Sequence, residues 1–218
     1  MERLASGRTA DVFAVDGGRV LRRYREAWDA TREAAVMAYV GRYGFPVPAV
    51  HHAEGPDLVM ERVDGPTMLT ALATGALDAP DGMRMLADLH ARLHAVPARP
   101  GAPAGECVVH LDLHPDNVML TAGGPVVVDW SNATDGPADL DLAVTALIFA
   151  EVAVDLANPL AALAGEGLRL FLDAAGGSPG RGVDGALAMR AANPTLSVAE
   201  KARLSRAAAL VRATQVDS

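Results

Sequence analysis

Between His110 and Asn132 the chain concentrates more chemistry than anywhere else along its length. His110 to Leu120 reads HLDLHPDNVML, a tight segment broken by Pro115, with Asp112 and Asn117 at fixed offsets. Pro125 to Asn132 reads PVVVDWSN, in which the β-branched run Val126–Val128 predicts a strand that delivers Asp129 at its end. A fold that satisfies this stretch must bend back on itself within a few residues. It then brings one candidate base, Asp112, beside two hard oxygen donors, Asn117 and Asp129. That donor set suits Mg²⁺ and the orientation of a nucleophile.

The two runs resemble the catalytic loop and metal strand of kinase-like phosphotransferases. Protein kinases read H-R-D-x-x-x-x-N followed by D-F-G. The His-Pro after Asp112 and the Asp129-Trp130 pair are more similar to the aminoglycoside phosphotransferase and choline kinase families, which read HGDLHPGN, a hydrophobic strand and then DW. The resemblance implies an α+β, two-lobed protein-kinase-like fold: a small β-rich N-lobe with one helix and a mainly helical C-lobe. It places the nucleotide-binding lobe at residues 1–63 and the catalytic and substrate lobe at 64–218, as one kinase-like unit. It also implies ATP or GTP and Mg²⁺ as cofactors, with transfer of the γ-phosphoryl group to a hydroxyl of a small molecule, an aminoglycoside, amino sugar or choline-like alcohol. Asp112 is then the catalytic base and Asn117 and Asp129 the metal ligands. At 218 residues the chain is short for that family, which implies a reduced acceptor-binding part.

The N-terminal stretch fits with two departures. Asp11–Val15 and Val20–Tyr24 read as strands around the turn Asp16-Gly17-Gly18, preceded by the turn Ser6-Gly7-Arg8-Thr9. In the kinase reading the earlier turn covers the nucleotide phosphates, yet the full G-x-G-x-x-G is missing. The third strand should carry a Lys, but the only lysine is Lys201. Arg22 stands in its place, with Arg23 as the neighbour; alternation puts the two on opposite faces. Arginine is always charged and can bind phosphate bidentately. Asp29–Tyr43 reads as a helix with an apolar stripe of Val36, Met37, Tyr39, Val40 and Tyr43. Glu33 in its first turns is, by resemblance, the partner of the strand's cation; locally it is equally a favourable acid near a helix N-terminus. Leu58–Val63 reads as a strand leading to Asp64-Gly65-Pro66, which the resemblance makes the link between lobes, with the backbone of Glu61 and Val63 meeting the adenine.

Further on, Asp81–Val96 reads as an amphipathic helix, and Pro97–Pro103 as a loop. His90 and His94 lie one turn apart, but Ala91 stands where H-E-x-x-H needs its Glu, so they read as a structural pair. The segment Asp135–Ala143 resembles the family's G-D-P-x-x-D-L-A. Asp141 there matches an acid that braces the catalytic loop, and Asp139 reads alternatively as a helix N-cap. Leu140 to about Ala174 is helix-prone with a break at Pro159, and Gly176–Gly180 reads as a loop. Ser197 with Glu200 forms a capping box that starts the last helix. The acids Asp135, Asp139, Glu151 and Asp155 read as solvated helix faces, or as a lining for a polyamine-like sugar.

Two rival readings compete. His110, Asp112 and His114 alternate and would share one face of a strand, a metallohydrolase pattern; Pro115 breaks the strand it needs. The missing Lys and poor glycine loop motivate a nucleotide-binding pseudokinase without transfer activity. The net charge of −8 argues against nucleic acid as partner. There is no P-loop, dinucleotide fingerprint or nucleophile elbow. The lone Cys107 allows no internal disulfide. The N-terminus lacks a secretory core and no apolar run reaches spanning length, so a cytoplasmic protein without a membrane is expected. The oligomeric state is left open.

Overall fold

The computed structural model describes residues 1–25 and 28–216, and it is an α+β, two-lobed, kinase-like fold. Five antiparallel strands form the first sheet: β1 (Arg3–Ser6), β2 (Ala10–Ala14), β3 (Arg19–Tyr24), β4 (Val50–Glu54) and β5 (Asp57–Glu61), in the order β1-β2-β3-β5-β4. Asp16 closes the β2–β3 hairpin, accepting from the Gly18 N–H at 3.0 Å. Helix α1 (Ala30–Gly41) follows β3, with Asp29 as N-cap accepting from the Thr31 N–H. Its buried face is Ala34, Val36, Met37 and Val40. Tyr43, expected on that face, lies past the helix end and is 53% exposed, because the chain turns at Gly44 with φ +76°. The strand expected to run to Val63 ends at Glu61, where the Arg62 N–H leaves the ladder for Gly18 O.

The link between the lobes is fixed by Gly65. Its φ is +145°, and a Cβ there would stand 2.1 Å from Leu120 O. Only glycine allows the chain to pass so close to the next hairpin. The connector Phe45–Pro48 joins the lobes from the other side, where Pro46 O accepts from the Val127 N–H at 2.9 Å.

The second lobe is mainly helical: α2 (Met68–Thr74), α3 (Ala79–His94), α4 (Ala138–Ala153), α5 (Ala161–Ala174), α6 (Pro179–Ala192) and α7 (Val198–Val216). Two short ribbons interrupt it. β6 (Cys107–Val109) pairs with β9 (Thr134–Gly136), and β7 (Val118–Thr121) pairs with β8 (Gly124–Val127). Helix α4 is apolar on nearly every side and packs against α5, α6 and α7, as a central helix must. The capping box of α7 forms: Ser197 N–H donates to Glu200 Oε2, and Glu200 N–H to Ser197 Oγ. Among the described residues no helix is long and apolar enough to cross a membrane.

Helix α6 is a correction, because its start lies in what reads as a loop. Three glycines, Gly180, Gly182 and Gly185, lower its helix propensity. Packing overrides propensity there. A Cβ at Gly182 would meet Asp139 O at 2.2 Å and Ala143 Cβ at 2.9 Å, so the glycine lets α6 lie directly on α4. Gly182→Ala is expected to force the helices apart and to cost about 1–3 kcal/mol, measurable by urea denaturation. An unchanged midpoint would show that the α4–α6 contact is not tight.

Candidate active site

The site is assembled where the β7–β8 hairpin meets the loop before it. After β6 the chain runs through His110 and Leu111 to Asp112, turns through a 3₁₀ segment at Pro115–Asn117, and enters β7. The Val128 N–H donates to Asn117 O at 3.0 Å, so Asp129 emerges one residue beyond the rung that holds Asn117. Asn117 Nδ2 donates to Asp112 O at 2.9 Å and reaches its carboxylate at 3.4 Å. That pins the amide nitrogen and leaves Asn117 Oδ1 as its outward oxygen. The loop thus brings together the three residues expected there.

Among the described residues two non-glycines hold left-handed backbone, Leu111 (φ 61°) and Asp129 (φ 63°). Such strain persists only where the surroundings over-determine it. At Leu111 the brace is Asp141 on α4. Its Oδ1 accepts from the Leu111 N–H at 2.6 Å, and its Oδ2 from the His110 N–H at 3.2 Å. His94 Nε2 lies 2.8 Å from the same Oδ2, and His90 Nδ1 3.4 Å from it. Burial alone would raise the Asp141 pKa, but the two histidines facing it hold it well below the usual carboxylate range. The ligand atoms of His90, His94 and Asp141 lie within 4.8 Å of one another. The carboxylate is nonetheless already engaged with two loop amides, the arrangement of a brace. His90 Nε2 faces the Thr145 hydroxyl, which donates to Leu113 O at 2.7 Å and so accepts from the imidazole. Asp139 does not cap α4; Pro137 holds that position, and the Asp139 carboxylate accepts from the Ser178 N–H instead.

At Asp129 the brace comes from the sheet. Arg22 is buried (7% exposed), and its Nη2 donates to Asp129 Oδ1 at 2.5 Å while Nη1 lies 3.3 Å from Glu33 Oε1. Arg23 faces outward and pairs with Asp57, so Arg22 is the cation that reaches the site. Glu33, 3% exposed, also accepts from Tyr24 Oη at 2.5 Å and from the Trp130 N–H at 3.1 Å. Burial raises the Glu33 pKa despite Arg22. Burial works the same way on Asp129, but Arg22 and the Ser131 hydroxyl outweigh it and the pKa is lowered. Asp112 feels mainly burial, and its pKa is raised.

The metal fit rests on the donor chemistry. Asp129 keeps Oδ2 clear of Arg22 and Ser131, and Asn117 keeps Oδ1 clear of the loop, so two hard oxygens are available to Mg²⁺. The metallohydrolase triad does not form. His110 is fully buried, set edge-on to Trp130 with ring centroids 4.8 Å apart, and its Nε2 faces Val128 O. Burial lowers its pKa to about 4, so its ring is neutral at pH 7. His114 stays at the loop surface, with Nδ1 accepting from the Asp116 N–H. At the link, the Glu61 N–H is committed to Ala49 O, and its side chain accepts from the Ala49 N–H. Val63 makes no hydrogen bond among the described residues.

Three of the four acids read as solvated faces are ion-paired instead, and the fourth, Asp139, accepts from the Ser178 N–H. Arg99 binds Asp135, Arg190 binds Glu151, and Arg203 binds Asp155. Glu151 and Asp155 line a cleft of about 410 Å³ that also contains Asp112, His114, Asp116 and Arg8. Arg8, from the turn before β2, reaches across this cleft to Glu200 at 2.6 Å and to Thr195 O at 3.1 Å. Arg8, Arg190 and Arg203 carry no local sequence signal, since their partners lie far away in the chain.

The family model described as the phosphotransferase enzyme family (APH) matches residues 1–106 and 100–171. No curated protein matches the sequence. Among solved structures, the gentamicin complex of APH(2")-IIa has a TM-score of 0.60 at 12% identity, over 99% of this chain and 90% of that one. A thermostable mutant of APH(4)-Ia with AMP-PNP and hygromycin B gives 0.57 at 18%, over 97% and 92%. A choline/ethanolamine kinase family protein from Mesorhizobium loti gives 0.55 at 16%, over 99% and 92%. At these identities the likeness speaks for the fold. With the family model spanning both the sheet and the catalytic loop, the chain belongs to the phosphotransferase enzyme family.

Proposed function

We propose that the protein transfers the γ-phosphoryl group of ATP, or GTP, to a hydroxyl of a small molecule. The observation that carries this reading is the convergence of Asp112, Asn117 and Asp129 at the base of one hairpin, with Arg22 directed at the Asp129 carboxylate. Asp112 orients the acceptor hydroxyl and takes its proton; its raised pKa brings it nearer the working pH. Asn117 and Asp129 would hold Mg²⁺, which would supply positive charge to offset that of the phosphates. Arg22, positioned by Glu33, steadies the remaining phosphates. Residues 1–63 form the nucleotide lobe and 64–218 the catalytic lobe, with adenine against the backbone at Glu61 and Val63. Aminoglycosides, other amino sugars and choline-like alcohols are the acceptors to test, and the cytoplasm is the compartment we assign.

One observation favours a second reading, a pseudokinase that binds nucleotide without transfer: Arg22 already occupies one oxygen of Asp129. One measurement tests the metal assignment and a second separates the readings. Asp129→Ala should weaken Mg²⁺-dependent nucleotide binding by at least tenfold. Equal binding with and without Mg²⁺, in wild type and variant, would remove the metal assignment. ADP release in the presence of an acceptor supports transfer; tight Mg²⁺-nucleotide binding with no ADP release from any acceptor supports the pseudokinase.

A further inference from the structure

The walls of the cleft beside Asp112 constrain what can enter it. Three of its carboxylates are already neutralised: Glu151 by Arg190, Asp155 by Arg203 and Glu200 by Arg8. Arg190 holds both oxygens of Glu151 in a fork, the strongest form of such a pair. Apart from Asp112, the one lining acid with no ionic partner among the described residues is Asp116. A polycationic sugar would therefore find two open carboxylates. To engage Glu151 or Asp155 it would have to displace an arginine from a partly buried pair, whereas the Arg8–Glu200 pair is exposed and gives way more easily.

The second constraint lies next door. A smaller pocket of about 100 Å³ opens between α2, α3, α4 and α5, walled by Leu69, Met83, Leu163 and Ala164. His114, Asp116, Ile148 and Val152 line both cavities, so the apolar pocket adjoins the polar cleft at the catalytic loop. An apolar cavity of ~150 Å³ holds a benzene ring, and one water occupies ~30 Å³ of liquid. The smaller pocket therefore has room for an arm of roughly three to five carbons. Every group of a fully polar acceptor that entered it would lose its hydrogen bonds to water without replacement.

Resting on the phosphotransferase reading of Asp112, we propose that the acceptor is a small alcohol of at most one net positive charge carrying a short apolar arm. The hydroxyl sits at Asp112, the single cationic group faces Asp116, and the arm fills the pocket between α2 and α5. The ion-paired wall of α4, α6 and α7 then sets polarity and size, and Ile148 and Val152 form the step between the two halves.

The test uses the full chain loaded with Mg²⁺ and AMP-PNP, and the 2-amino-1-alcohol series ethanolamine, alaninol, valinol, leucinol and phenylalaninol. Affinity is read by saturation-transfer NMR. Each added methylene should tighten binding about fourfold as far as leucinol, with no further gain at phenylalaninol, and kanamycin should bind no tighter than leucinol. Ala164→Leu fills the pocket and should flatten the series. Val152→Ala widens the pocket and should let phenylalaninol overtake leucinol, a gain of binding that a misfolded variant cannot give. A flat series in wild type, or kanamycin as the tightest ligand, overturns the proposal. Tight kanamycin binding, with ADP released when ATP replaces AMP-PNP, would overturn it while leaving the phosphotransferase reading intact. Failure of Mg²⁺-nucleotide to bind at all would instead strike the phosphotransferase reading.

Discussion

Asp112→Asn is expected to leave the fold and Mg²⁺-nucleotide affinity intact and to lower the transfer rate by about 10²–10⁴-fold, the usual contribution of a positioned general base. The substitution keeps size and shape. The Asn117 amide stays anchored on the backbone oxygen of residue 112 at 2.9 Å, so the loop geometry does not depend on the carboxylate. What is lost is a group that can accept the hydroxyl proton. Because burial raises the Asp112 pKa, the wild-type rate should fall as pH drops through that raised value, where the base becomes protonated. The variant should lack this acid limb. Measuring ADP release against pH in both proteins checks each half. A variant as fast as wild type would take Asp112 out of the chemistry.

The parts of this site that could be read from sequence are those whose partners are close in the chain. Asp112 and Asn117 are five residues apart, and Asp129 follows twelve later, just past the returning strand, so one hairpin suffices to join them. The capping box of α7 and the hairpin turn at Asp16 are local in the same sense. Arg22 and Arg23 are adjacent, and alternation separated them without saying which faced inward. That choice depends on α1 covering one face of the sheet with Glu33, a tertiary fact. The same limit hid the ion-paired wall of the cleft. Glu151 and Arg190 are 39 residues apart, and α6, which carries the arginine, is held helical by its contact with α4 against three glycines. Acids that look solvated along one helix cease to be so once another helix brings an arginine to them.

The network behind Asp129 makes the second strong prediction. Arg22→Met keeps the bulk of the side chain but leaves Glu33 buried opposite Asp129 with no cation between them. Removing one partner of a buried charge pair costs about 3–5 kcal/mol, far more than an exposed pair is worth. Two neutral donors remain for Glu33, the Tyr24 hydroxyl and the Trp130 N–H, so the fold should survive with reduced stability. The loss should depend on pH in a fixed direction. Burial already raises the Glu33 pKa with Arg22 present, and removing that cation raises it further. A carboxyl whose folded pKa exceeds its unfolded value binds more protons in the native state, so stability falls as pH rises through that window. Urea denaturation without nucleotide should therefore show the variant closer to wild type at pH 5 than at pH 8. Arg22→Lys should fall between the two. It restores a cation, but a single ammonium lacks the forked geometry that now serves Glu33 and Asp129 together. Equal stability losses at both pH values would mean that Glu33 is not held charged by Arg22, and the case for Arg22 as the positioned phosphate-binding cation would lose its structural basis.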